Sequence, residues 1–281
     1  MIDKFDSSDA KEYRDLCLKR IEEIDPDRNA GLAFSGGTDS ITALFAMIET
    51  GRKPECYTFH MDGIISKDLQ ASRHACKYFG LKLHEIAVPR DVDSMYNDVK
   101  RVLPYCEHIK KTIIQCMIPW LYIYPAVEQP KIITGLGGDD FFATQRKLQV
   151  RYHQFGDEAI LSDRIFYGHD LRFSGANIER FAKHYGIEYF DFYDSKTIEE
   201  FLLRYTFKAI NKPYPKYASV AAFMDYYKKA PFYRDQTEHS YQTNSKLKDC
   251  QDMLLHSKYN TKGHKAIIGL YNQIAKEMHL I

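Results

Sequence analysis

The sequence predicts an α/β fold, a parallel, doubly wound sheet followed by a mostly helical C-terminal part. Three observations carry this. Strand-like and helix-period runs alternate from residue 29 to residue 88, glycine turns follow two of the strands, and strand signals fade beyond about residue 150.

The first element is an amphipathic helix, with Tyr13, Leu16, Cys17, Ile21 and Ile24 at helical spacing within residues 11 to 24. Asn29 to Phe34 is a short apolar strand. Ser35-Gly36-Gly37 then turns the chain, and Thr38, Asp39 or Ser40 caps a helix that buries Ile41, Leu44, Phe45 and Ile48 and ends at Gly51. Glu55 to His60 reads as a strand, Lys67 to Tyr78 as a helix stopped near Gly80, and Leu83 to Val88 as a third strand. A helical stretch from Val99 to Val127, interrupted near Pro104 and Pro119, leads to the strand Pro130 to Thr134 and a second glycine turn, Gly135-Leu136-Gly137-Gly138-Asp139-Asp140. Further helices are expected at Ile198 to Tyr205, Val220 to Tyr227 and His264 to Met278. The expected division is residues 1–150 as an α/β domain and 151–281 as a helical part packed on it.

Composition excludes some functions. The 281 residues are 44% hydrophobic, enough for a substantial core, and 39 Lys+Arg against 38 Asp+Glu gives a formal charge of +1, which does not suggest a dedicated nucleic-acid binder. Six cysteines are scattered without metal-binding spacing, and no run approaches a membrane span. The charged N-terminal segment lacks the apolar core of a signal peptide, so a soluble, cytoplasmic protein is expected. Most of the 21 Tyr and 17 Phe fall in apolar stretches and are expected to pack in the core.

The chemistry is concentrated in the glycine turns. A strand-to-helix turn with adjacent glycines aims backbone N–H groups into one concavity, and the helix N-terminus adds positive potential. Ser35, Thr38 and Ser40 add hydroxyls, and Asp39 supplies a hard oxygen suited to Mg²⁺. An ordinary capped glycine turn is the plain alternative, but here all six residues stand where strand passes into helix. Neither G-x-x-x-x-G-K-[ST] nor G-x-G-x-x-G occurs.

Ser35-Gly36-Gly37-Thr38-Asp39-Ser40 resembles the signature of the ATP pyrophosphatase (PP-loop) superfamily, which cleaves ATP between its α and β phosphates. Within it, Ile133 to Phe142 is similar to the S-G-E-G-S-D-E-L-F-G motif of asparagine synthetases and the T-G-Y-G-A-D motif of β-lactam synthetases. Asp68 to Ala75 through Gly80, His84-Glu85, and Ala230-Pro231-Phe232-Tyr233-Arg234-Asp235, which looks like R-x-P-F-L-D, follow in the family's order.

The resemblance implies an ATP-dependent, AMP- and pyrophosphate-forming ligase that adenylates a carboxylate and passes it to an amine, forming an amide. It implies that Asp39 and Asp139 bind Mg²⁺, that Ser35, Gly36, Gly37, Thr38, Asp39 and Ser40 hold the pyrophosphate, and that Thr134, Gly135 and Gly137 border the α-phosphate or ribose. Phe59, His60 and Met61 would border the adenine, with His60 an ordinary strand-end histidine rather than a catalytic one. The family's C-terminal lysine maps to Lys262 and then Lys265 in Asn260-Thr261-Lys262-Gly263-His264-Lys265. Leu136 departs from the family, standing where asparagine synthetases have glutamate and β-lactam synthetases tyrosine; amine deprotonation then falls to Glu107, Tyr105, Asp140 or the substrate. With Ile2 where a glutaminase domain would begin with cysteine, the nitrogen is expected from ammonia, a separate glutaminase or another amine. Phe232 to Asp235 and the loop near Lys262 are the expected lid.

Two other readings stand beside this one. In the first, a PP-loop enzyme adenylates a tRNA base, using a basic patch of Lys208, Lys212, Lys216, Lys228, Lys229 and Arg234. In the second, the chain is a nucleotide-binding protein that has lost catalysis, as Leu136 suggests, although the retention of both Asp39 and Asp139 weighs against it.

Overall fold

The structure is a computed structural model describing residues 1–166, 173–229 and 246–281. Five parallel strands form one sheet in the order β3-β2-β1-β4-β5: β1 Ala30–Ala33, β2 Cys56–Met61, β3 Leu83–Val88, β4 Lys131–Thr134 and β5 Glu188–Asp191. The register pairs Leu32 with Cys56 on one side of β1 and with Ile133 on the other, and Thr134 with Asp191. β5 comes from the part of the sequence expected to be helical, so the sheet extends past residue 150. Its residues Glu188, Tyr189, Phe190 and Asp191 show little simple alternation of apolar and polar, which hid the strand.

Alternation along each strand sends side chains to two faces. Leu32, Cys56 and Ile133 enter one core with helices α1 (Ser7–Ile24), α2 (Thr38–Glu49) and α3 (Lys67–Phe79). Tyr57 and Ile132 enter the other, with α4 (Val92–Val102), α5 (Lys111–Met117) and α6 (Trp120–Ile123). α1 begins with a capping box in which the Asp6 and Asp9 side chains satisfy each other's backbone N–H groups. It buries Tyr13, Cys17, Ile21 and Ile24, the stripe expected from their spacing. α3 closes on Gly80 in the left-handed conformation.

Beyond β4, α7 (Gly138–Phe141), α8 (Arg146–Phe155), α9 (Asp157–Ile165) and α10 (Phe173–His184) precede β5. After it come α11 (Lys196–Leu203), α12 (Phe207–Asn211), α13 (Tyr217–Ala222) and α14 (Met224–Lys229), then α15 (Leu247–Asp252) and α16 (Ile267–Glu277). Helical residues thus dominate the second half as expected, and α11 and α13 pack on α1. The predicted helix at Val220 to Tyr227 is two short helices broken at Phe223. No helix among the described residues is long and apolar enough to cross a membrane.

The order in which strands are added reverses about β1: the chain builds outward to β2 and β3 on one side, and β4 and β5 lie on the other. The carboxyl ends of β1 and β4 therefore flank the crevice where open parallel sheets bind ligands.

Candidate active site

Both glycine turns leave the sheet at this crevice and touch. A Cβ on Gly135 would lie 2.6 Å from the Ser40 backbone nitrogen, and one on Gly138 would lie 2.4 Å from Asp39 Oδ1. Only hydrogen at these positions lets the second turn lie against the first. Gly36 has φ +71° and presses on α3, where a Cβ would stand 2.5 Å from that of Ala71.

The first turn is closed by its own hydroxyls. The Ser35 N–H donates to Ser40 Oγ (3.3 Å), the Gly37 N–H donates to Ser35 Oγ (3.3 Å), and Ser40 Oγ–H donates to the Gly37 carbonyl (3.1 Å). Gly37 caps α2 without a side-chain hydrogen bond, so the first-turn N–H groups are left to a ligand or solvent. The turn has the shape, with free N–H groups at a helix start, that an anion cradle requires.

Asp39 and Asp139 meet across a single cation, the ammonium of Lys216. Its Nζ lies 2.5 Å from Asp39 Oδ2 and 2.6 Å from Asp139 Oδ1. The lysine side chain is only 9% exposed, against 21% for Asp39 and 60% for Asp139. Burial disfavours the ammonium, but the two carboxylates outweigh it and raise its pKa above the ordinary lysine value. Burial pushes Asp39 up to about 6 against the pull of Lys216. Lys216 instead draws Asp139 below the usual range, helped by the Thr144 hydroxyl, which donates to Asp139 Oδ1 at 2.7 Å. Asp140, beside this group, accepts from Gln145 and is pushed up to about 7 by burial and by the Asp139 charge.

Lys216 is held by its backbone. It is in the left-handed region, φ +57°, at the start of α13, after a turn containing a cis Lys212–Pro213 peptide bond. Its N–H donates to Asn211 Oδ1 (2.8 Å), and the buried Asn211 amide donates to the carbonyls of Phe142 (2.8 Å) and Phe207 (3.1 Å). Asn211 thus joins the turn carrying Lys216 to the end of the helix carrying Asp139. Sequence reading placed Lys216 in a basic surface patch. Instead it is buried, while Lys208, Lys212, Lys228 and Lys229 stay exposed, which takes from the tRNA reading one of its six charges. Arg234 and the rest of Ala230 to Asp235 lie outside the described residues.

The remaining predicted site residues are dispersed. Thr134 is 2% exposed; its hydroxyl donates to Asp191 Oδ1 (2.7 Å) and accepts the Leu136 N–H (3.2 Å), so it shapes the turn from within. Gly137 takes φ +90° as the cap of α7. Phe59, His60 and Met61 end β2; Met61 is buried, and His60 Nδ1 lies 3.1 Å from the Met61 carbonyl. Leu136 leans on the core that contains α4 and α5. Lys262 and Lys265 are exposed in the loop before α16, and among the described residues neither contacts Asp39 or Asp139. Glu107 is exposed, 3.8 Å from Arg180 of α10. The cation at the carboxylate pair is Lys216. Only its sequence position four residues after Lys212-Pro213 could have drawn attention to it, and that signal is weak.

The donor set suits Mg²⁺. Asp39 Oδ1 is buried without a hydrogen-bond partner, and two hard carboxylates face one cation position. No group of three or more His, Cys, Asp or Glu side chains suited to a metal occurs among the described residues, so a metal here would complete its coordination from phosphate and water, as Mg²⁺ commonly does.

Residues 22–186, more than half the chain and including both glycine turns, match the family model for asparagine synthase. The chain belongs to the asparagine synthase family. A curated relative, a probable glutamine-hydrolysing asparagine synthetase of Acanthamoeba polyphaga mimivirus, is 26% identical over 222 residues, covering 71% of this chain. The chain spans 40% of that relative's length. Within the asparagine synthase family match lie all four of the strand ends and turns that build the crevice, whereas Lys216 falls beyond its last residue.

Proposed function

We propose that this chain is an ATP-dependent ligase that forms AMP and pyrophosphate, activating a carboxylate as its adenylate and passing the acyl group to an amine. The observation that carries the reading is the convergence of Asp39 and Asp139, from two glycine turns, on one cation at the sheet's topological switch point. Membership of the asparagine synthase family and the relative's name support amide formation.

Each group has a defined task in this reading. The N–H groups opening α2 and the hydroxyls of Ser35 and Ser40 hold the β- and γ-phosphates, and Lys216 opposes the charge that builds on the leaving pyrophosphate. Asp39 and Asp139 hold Mg²⁺, which neutralises phosphate charge and orients the leaving group. Gly135 and Gly137 let the second turn approach the α-phosphate, and the end of β2 at Phe59, His60 and Met61 borders the base. With Leu136 unable to accept a proton, the amine loses its proton elsewhere. Asp140 stands beside the carboxylate pair, whereas Glu107 is engaged with Arg180. The nitrogen comes from ammonia, a partner glutaminase or a second substrate, and the C-terminal helices supply the wall that keeps water from the adenylate.

The test is mass-spectrometric analysis of ATP products after incubation with Mg²⁺-ATP, pooled amino acids, carboxylates and ammonia, and separately with bulk tRNA. AMP with pyrophosphate from the small-molecule pool is expected. ADP would overturn the α–β cleavage, and turnover only with tRNA would transfer the adenylation to a nucleic-acid substrate.

A further inference from the structure

Lys216 Nζ bonds to the same pair of carboxylates that the proposed function gives to Mg²⁺, at 2.5 Å and 2.6 Å from one oxygen of each. Mg²⁺ draws its oxygen ligands to roughly 2.0–2.1 Å in a near-octahedral shell. An ammonium wedged between those oxygens cannot share that shell, because it would sit against a divalent charge at close range. The two cations are therefore alternatives at one place.

We propose, building on the ATP reading above, that the Lys216 ammonium is a resident counter-cation that the divalent ion displaces, and that the pyrophosphate portion of the nucleotide receives the displaced ammonium. The exchange is confined to the side chain. Asn211 fixes the Lys216 N–H and joins it to Phe142 and Phe207, while α13 begins at the next residue. With only 9% of its side chain exposed, Lys216 has little access to bulk water without backbone movement. The neighbouring carboxylate of Asp140 already accepts from Gln145. A phosphate lying in the cradle of Ser35 to Ser40 is the anion within the same crevice. The consequence is selectivity by co-binding: the carboxylate pair is poorly available to a free divalent ion and becomes available when phosphate arrives to receive the lysine.

The probe is Mn²⁺, titrated into the full chain and followed by electron paramagnetic resonance without nucleotide. Lys216→Met is expected to bind Mn²⁺ at least ~10-fold more tightly than wild type, and to lose at least ~10-fold in affinity for pyrophosphate at saturating Mg²⁺. Lys212→Met, which removes a nearby exposed charge, is expected to change neither by more than about 2-fold. A folded Lys216→Met with wild-type Mn²⁺ affinity overturns the exchange, as does an equal gain in Lys212→Met. If Lys216→Met does not fold, Lys216→Gln, which keeps a polar side chain without the charge, replaces it with the same expectations, and a folded Lys216→Gln with wild-type Mn²⁺ affinity overturns the exchange. Wild type that binds no pyrophosphate even with Mg²⁺ overturns the ATP reading and the exchange together, whereas pyrophosphate binding with no Mn²⁺ gain in Lys216→Met overturns the exchange alone.

Discussion

At the scale of single residues, the site depends on carboxylates whose environments differ although they share one lysine. Asp39 is enclosed by Gly138 and the first turn, so burial dominates its titration, while the more exposed Asp139 responds chiefly to Lys216. Asp39→Asn and Asp139→Asn keep side-chain size and remove the charge that the proposed Mg²⁺ would need. Each should abolish pyrophosphate release, followed by a coupled phosphate assay, while circular dichroism stays as in wild type; near-normal turnover in either would remove the Mg²⁺ assignment. Asn211 acts one step away, holding the Lys216 backbone. Asn211→Ala removes three buried hydrogen bonds and should cost about 2–3 kcal/mol in urea unfolding. It should also lower kcat for pyrophosphate release, and unchanged kcat in the folded variant would show that the lysine needs no such anchor.

At the scale of elements, short parallel strands set the register that brings the turns together, and local pairs hold the strands. His84 of β3 and Lys82 draw Glu55, just before β2, down to about 2. Because this folded value lies below the ordinary glutamate value of 4.5, the pair's stabilisation is fully present above about pH 4.5 and is lost as pH falls toward 2. Partial exposure limits its worth to ~1 kcal/mol. Glu55→Gln should therefore lower the urea midpoint at pH 6 and converge with wild type near pH 2, and an equal difference at both pH values would exclude the ion pair as the cause. The strands themselves were legible where apolar runs were bounded by turn residues: Leu83–Val88 has the expected limits, and Cys56–Met61 differs by one residue. β5 was missed because it joins the sheet through long-range pairing with β4, and its mixed tetrapeptide carries little local strand signal.

At the scale of the whole molecule, the second half of the chain is tied to the crevice between the two glycine turns by buried polar clamps. Arg164 of α9 is 1% exposed and donates to the carbonyls of Phe141 (2.8 Å), Leu202 (2.8 Å) and Tyr205 (3.1 Å). It thereby joins the end of α7, which carries Asp139, to α11 and the segment after it. Burial lowers its pKa to about 10, so it remains charged at neutral pH. Arg164→Met would take the side-chain donor from the carbonyls of Phe141 and Tyr205, while the Leu202 carbonyl keeps the Tyr205 N–H, and should destabilise the fold by about 2–4 kcal/mol. Its thermal midpoint should drop by several degrees, and an unchanged midpoint would mean that these carbonyls find other donors.

The alternating α/β order and the two glycine turns that carry Asp39 and Asp139 were legible in the sequence, because they depend on local periodicity and on residue types that only particular turns accommodate. The tertiary structure decided which cation meets the carboxylates and which strand completes the sheet. Lys216 lies 177 positions from Asp39, and only the weak turn signal at Lys212-Pro213 sets it apart from a surface lysine. Its burial follows from packing of α13 against α1 and from Asn211, and long-range packing of that kind leaves no periodic trace in the chain.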